Sequence, residues 1–212
     1  MVLKAAIFDM DGTILDSMEM WDKIGYDFLN KKGIELTDSI RKEIEHLKLS
    51  EVADYFAEQF DLQMSGKEIL EIWLHAVTYE YDNNIKLKPY AREYLEKLKQ
   101  DGVRMCVATL TEREHAVPAL EKHGLLDYFE FVLTVKEVGK SKAHPDIFLQ
   151  CAQRLGAVPA ESTVFEDSIY AAKTAKAAGF KICAIYDTVS QKDKEDFIRL
   201  SDCYIHSFEE LL

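Results

Sequence analysis

The sequence is short of basic residues and has no long apolar run, and each shortage closes a class of function. No stretch approaches the roughly 18 uninterrupted apolar residues of a membrane-spanning helix, so no span is expected. Lys4, Asp9 and Asp11 break up any apolar stretch of a secretory leader at the N-terminus. The four cysteines (Cys106, Cys151, Cys183 and Cys203) are far apart and form no Cys-x-x-Cys pair. Neither zinc nor a disulfide framework is indicated, and buried free thiols in a reducing, cytoplasmic setting are expected. Lys and Arg number 26 against 38 Asp and Glu, a formal charge of −12. The imbalance is concentrated in residues 17–84, which hold 15 acidic and 7 basic side chains. Such a surface repels a nucleic-acid backbone and argues against a polynucleotide partner. A small phosphorylated metabolite stays open as a ligand, because one deep site can be locally positive whatever the global sign.

What is present is the composition of a soluble globular chain, 48% apolar and 30% charged, without repeats or low-complexity tracts. Its 212 residues suffice for one core domain and a smaller insertion. Nothing calls for a second subunit, and a monomer is expected. Six short runs rich in β-branched or aromatic residues read as strands: 5–8, 103–108, 131–135, 163–165, 181–186 and 203–205. Helical patterns lie between them from Pro89 onward. Pro89 suits the first turn of a helix running to about Gln100 and closed by Asp101-Gly102. Thr111-Glu112-Arg113-Glu114 reads as a capping box. Pro145 opens a helix ending near Gly156, and Ser168 caps one ending at Gly179. Strands alternating with helices predict an α/β fold with a parallel sheet covered on both faces.

The interval between the first two strands differs. About 70 residues after Ser17 carry helical stripes instead: Met18, Trp21, Ile24 and Phe28; Val52, Tyr55, Phe56 and Phe60; Ile69, Trp73, Ala76 and Val77. An ordinary connection between a strand and a helix is only a few residues. The pattern predicts a helical domain, 17–84, inserted into a core made of 1–16 and 85–212.

The first strand runs into Asp9-Met10-Asp11-Gly12-Thr13-Ile14-Leu15-Asp16. Ligands of open α/β sheets bind at the carboxyl ends of strands, so these acids stand where a site is expected. Taken alone the segment also reads as a strand and an Asp-Gly turn, with Thr13 and Asp16 as local caps. Thr109 ends the second strand, ahead of free helix amides that can hold phosphate oxygens. Thr111 reads as the cap and Arg113 as a helix-surface charge. Lys142 precedes a helix in the loop from Gly139 to Asp146, and Glu166-Asp167-Ser168 ends the fourth run. The two acids either complement a helix dipole or supply hard oxygen ligands suited to magnesium. Together Asp, Asp, Thr, Lys and Asp follow four successive strands on one sheet edge.

That series resembles the haloacid dehalogenase superfamily, in the helical-cap branch that includes phosphoglycolate phosphatase and β-phosphoglucomutase. Asp9-Met10-Asp11-Gly12-Thr13 matches its first motif, Thr109 its second, Lys142-Ala143-His144-Pro145-Asp146 its lysine motif and Glu166-Asp167 its fourth. Tyr90 and Ala171 stand where glycine is usual. The resemblance implies a Rossmann-like core with a helical cap, and a magnesium-dependent phosphatase working through an aspartyl-phosphate. Asp9 is then the nucleophile, Asp11 the acid and base, and Lys142 and Thr109 the phosphate ligands. Mg2+ is held by Asp9, the backbone carbonyl of Asp11, and Asp167, with Glu166 supporting from behind.

A dehalogenase of the same fold needs no acid at the place of Asp11. β-Phosphoglucomutases carry a histidine ten residues after the acid/base Asp, where this chain has Trp21, and the loop Glu45–Ser50 lacks their Gly and Arg. A receiver-type phospho-accepting module is shorter and has no helical insertion. Met18, Met20, Trp21, His46 and Lys48 are candidate substrate contacts in the insertion, where the residues are least legible.

Overall fold

Ala5, Ala6, Ile7 and Phe8 are all fully buried, which only a central strand of a covered sheet allows. A computed structural model places them as β1 (Ala5–Phe8) in the middle of a six-stranded parallel sheet of order β3-β2-β1-β4-β5-β6; it describes residues 3–44 and 47–212. After β1 come α1 (Met18–Asn30), α2 (Asp38–Ile44), α3 (Leu49–Gln59) and α4 (Gly66–Asn83). The sheet then resumes with α5 (Ala91–Gln100), β2 (Arg104–Thr109), α6 (Arg113–Lys122), β3 (Val132–Thr134), α7 (Val135–Val138) and α8 (Asp146–Arg154). It ends with β4 (Ser162–Glu166), α9 (Ile169–Ala177), β5 (Lys181–Ile185), α10 (Lys194–Leu200) and β6 (Cys203–Ile205). Among the described residues no helix is long and apolar enough to cross a membrane.

Strand alternation divides the core between the two faces of the sheet. Ile7 faces a cluster with Ala108, Ile147, Phe148, Val164, Ala171 and Ile182. Phe8 faces the other way and stacks on Phe165 at 4.3 Å between ring centroids, with Phe208 and Tyr94 closing the layer. Each such buried ring contributes about 1.5–3 kcal/mol relative to exposure. These rings lie one residue short of Asp9 and Glu166, so the floor beneath the strand ends is close-packed.

The chain divides into two compact units, one running to Met18 and resuming at Ile85–Leu212, the other Glu19–Asn84. The helical unit has its own core of Leu29, Ala53, Phe56, Ile69 and Trp73, with Trp73 edge-on to Phe28 and Phe56. In α4, Ala76 of the expected stripe is exposed and Tyr81 is buried in its place. Ser65 starts α4 with a reciprocal cap: its hydroxyl accepts the Glu68 N–H, and the Glu68 carboxylate accepts the Ser65 N–H.

Three local expectations are corrected. Pro89 lies outside its helix: α5 starts at Ala91, after Tyr90 in a left-handed conformation (φ 60°, ψ 17°). The usual glycine there would adopt that conformation freely, whereas tyrosine does so under strain. Thr111 is not the cap of α6, since that position is Glu112 and the Thr111 hydroxyl is spent on Asp11. The bond to that carboxylate is charge-assisted and sets the rotamer of Thr111 toward the first loop. Ser168 occupies the cap position of α9, but its hydroxyl makes no capping bond. Of the four free cysteines, Cys106, Cys151 and Cys183 are buried, while Cys203 is half-buried.

Candidate active site

The backbone after β1 turns back at once. Ile14 and Leu15 both donate to the Met10 carbonyl at 2.9 Å, and the Gly12 N–H donates to Leu15 at 2.8 Å. Gly12 makes this possible at φ +80°, and a Cβ there would lie 2.1 Å from Asp167 Oδ2. Only glycine lets the first loop pass so close to the carboxylate that follows β4.

Asp9, Glu166 and Asp167 are buried together, each offering an oxygen within 4.8 Å of the others. Lys142, fully buried, points into the group: its ammonium bonds to Asp9 Oδ1 and, at 2.8 Å, to Glu166 Oε2. Glu166 Oε1 accepts the Ser168 N–H at 3.2 Å, so both oxygens of that carboxylate are engaged. Lys140, the other lysine of the loop, is exposed and pairs with Asp146 at 2.7 Å. Among the described residues, then, the structure brings Asp9, Lys142, Glu166 and Asp167 into one volume.

Burial is the largest influence on Asp9 and pushes its pKa up to about 8; Lys142 opposes the rise, and Glu166 and Asp11 add to it. Burial likewise drives Asp167 well above the usual carboxylate range, with the charges of Asp9 and Glu166 adding to it. Burial works to lower Lys142, yet the carboxylates of Asp9 and Glu166 outweigh it and hold the ammonium above its ordinary value. With all three carboxylates ionised, the one cation would leave an excess of two negative charges in a buried site, a repulsion that adds to burial in raising Asp9 and Asp167. Hard oxygen donors with that surplus fit a divalent cation, whose charge removes the repulsion.

Asp11 stands apart from this cluster. Its Oδ1 accepts the Ser17 hydroxyl and its Oδ2 the Thr111 hydroxyl, both at 2.7 Å. Thr109, buried at the end of β2, accepts the Thr111 N–H on its Oγ1 at 3.0 Å, and its own hydroxyl proton is available for an anion. Arg113 is taken up by Glu137 at 2.8 Å and by the Val132 carbonyl. Ala171, in the first turn of α9, is fully buried in the core cluster, so its methyl fills space instead of crowding the loop.

Sequence reasoning missed four residues of the surroundings. Ser17 and Thr111 were read as a border and a cap. Lys88 and Asp187 were not singled out, yet Lys88 is buried and bonds to Asp187 at 2.6 Å and to Asp16 at 3.0 Å. Asp187 follows β5, so the strand-end rule that found Asp9 and Asp167 also pointed to it. In the helical unit Lys48 is occupied at the start of α3 with Glu51, and Trp21 is half-buried. Glu45 and His46 lie outside the described residues.

A parallel sheet with acids gathered at the ends of β1 and β4 and a lysine brought in before α8 has the mixed α/β architecture of a phosphatase-type hydrolase. The profile of the haloacid dehalogenase-like hydrolases matches residues 6–185, and the chain belongs to that family, in its phosphatase and phosphomutase branch. It is 28% identical over 211 residues to hexitol phosphatase B of Escherichia coli K12, covering 98% of this chain and 93% of that one. It is 28% identical to a phosphorylated carbohydrates phosphatase of Thermotoga maritima, over 84% of this chain and 83% of that one. The phosphate complex of CbbY from Rhodobacter sphaeroides shares the fold at a TM-score of 0.82 and 20% identity, covering 99% and 96%.

Proposed function

We propose that this enzyme is a magnesium-dependent phosphatase that hydrolyses a small phosphorylated sugar or sugar alcohol through an acyl phosphate on Asp9. The buried pairing of Asp9 with Lys142, beside Asp167, is the observation that carries the reading. The names of the two bacterial phosphatases support the substrate class.

Asp9 Oδ attacks phosphorus and the alcohol departs, taking a proton from Asp11. A water then attacks the phosphorus of the aspartyl-phosphate, giving its proton to Asp11, and inorganic phosphate leaves with Asp9 restored. Lys142 and the hydroxyl of Thr109 hold the equatorial oxygens, where positioning and charge stabilisation carry most of the rate. Asp9, Asp167 and the Asp11 carbonyl would hold Mg2+, which would supply charge neutralisation for the phosphate and the carboxylates. Glu166 fixes Lys142 from behind through its 2.8 Å bond. The helical unit, entered after Ser17 and left before Lys88, is a cap that excludes bulk water and touches the leaving group.

A screen of hexitol and hexose phosphates, p-nitrophenyl phosphate and acetyl phosphate with magnesium tests this. Turnover is expected, with loss in chelator and recovery on adding the metal back. No turnover across the panel refutes the proposal.

A further inference from the structure

Thr111 is a buried hydroxyl bonded across the site to a carboxylate 100 positions away in sequence. No feature of α6 requires that bond, since the helix begins two residues later. The bond is one link of a chain. The Thr111 N–H donates to Thr109 Oγ1 at 3.0 Å, and the Thr111 hydroxyl donates to Asp11 Oδ2 at 2.7 Å. Thr111 therefore ties a residue assigned to the phosphate oxygens to the residue assigned to the leaving oxygen. Threonine is stiff at χ1, and with both backbone and hydroxyl engaged its own freedom is small.

We infer that Thr111 is a positioning residue for Asp11, setting the carboxyl's orientation relative to the phosphate held at Thr109. The inference rests on the assignment of Asp11 as acid and base. A general acid works only within hydrogen-bond reach of the atom it protonates, so a carboxyl free to turn about χ2 delivers its proton less often. Ser17 holds Oδ1 from the other side, where the chain leaves the first loop. Thr111 adds the reference to β2, which Ser17 cannot supply.

The need for an acid depends on what departs, and this separates positioning from phosphate binding or folding. Phenyl phosphate releases a basic phenolate that gains from protonation, whereas p-nitrophenyl phosphate releases an anion stable at neutral pH. The two substrates present the same phosphate and nearly the same shape. For Thr111→Val, kcat/KM on phenyl phosphate is expected to fall about 10- to 100-fold, part of the roughly 10²–10⁴-fold that a general acid supplies. On p-nitrophenyl phosphate it is expected to fall by about threefold or less, and Thr111→Ser is expected to restore the wild-type ratio. Equal losses on both substrates, no loss, or failure of serine to rescue overturns the inference. Asp11→Asn is measured alongside. If it shows the leaving-group dependence and Thr111→Val does not, the inference alone fails; if Asp11→Asn shows none, the assignment of Asp11 fails and Thr111 falls with it. Thermal unfolding of each variant accompanies the kinetics, and a valine variant that loses structure is replaced by Thr111→Ala under the same criteria.

Discussion

Asp9 and Asp11 lie two residues apart, yet their carboxylates have different surroundings. Asp9 is buried against Lys142 and two further acids, whereas Asp11 is half-buried and held by hydroxyls. One environment suits a nucleophile kept next to a cation, the other a group that must exchange protons. Asp9→Asn should reduce turnover below detection while circular dichroism stays that of the wild type; activity near wild type would remove Asp9 from the mechanism. Gly12→Ala should lower kcat/KM on p-nitrophenyl phosphate by about 100-fold, since misplacing a group by about 1 Å costs that much. Its Cβ would stand 2.1 Å from Asp167 Oδ2, so the magnesium concentration for half-maximal rate should rise as well. An unchanged metal dependence would show that the loop absorbs the methyl. At this scale the charged residues were legible because strand ends and helix starts position them by rule. The uncharged partners were not: nothing in Thr111-Glu112-Arg113-Glu114 distinguishes a threonine serving its own helix from one serving a carboxylate 100 residues back.

The elements were legible where a single periodicity held and less so where the chain changed from one to another. All six strands were placed to within one residue at each end, since each is a β-branched or aromatic run facing two covered sides; β3 alone gave up a residue at both ends. Val135 starts α7 because the Thr134 hydroxyl accepts the Glu137 N–H, an exchange that hydrophobicity does not signal. The start of α5 was misplaced because the left-handed turn at Tyr90 has no sequence signature once glycine is absent. Just before that turn, Lys88 joins the loop after β5 to the first loop through Asp187 and Asp16. Lys88 and Asp187 are both buried, so Lys88→Ala should strand a carboxylate without its cation and destabilise the fold by about 3–5 kcal/mol. Urea denaturation measures it. The double variant Lys88→Met with Asp187→Leu should recover most of the loss, and a single variant as stable as the wild type would make the pair a surface-like contact.

The molecule as a whole combines a sheet core carrying the reactive groups with a helical unit that has a core of its own. That the insertion is helical followed from its 3.6-residue stripes and from a length no strand-to-helix connection has. No part in specificity is legible in it, because apolar residues such as Met18, Met20 and Trp21 serve packing and ligand contact equally well. If the helical unit is the cap, a phosphate mimic such as fluoroberyllate with magnesium should slow amide exchange in α1, α3 and α4. Exchange unchanged throughout these helices would confine the mimic's effect to the sheet core and reject the cap.

The backbone at the insertion point has one more consequence. Leu15 and Leu87 are antiparallel bridge partners, Asp16 donates to Lys86 at 2.9 Å, and Lys88 donates to Ile14 at 2.8 Å. The polypeptide therefore leaves the sheet and returns through a doorway one strand spacing wide, about 4.8 Å. A doorway that narrow imposes nothing on what lies beyond it except that its two ends be neighbours. Any autonomous fold with adjacent termini, or a tight turn of a few residues, can be spliced there without moving a strand, so the helical unit is a replaceable cartridge on a fixed frame.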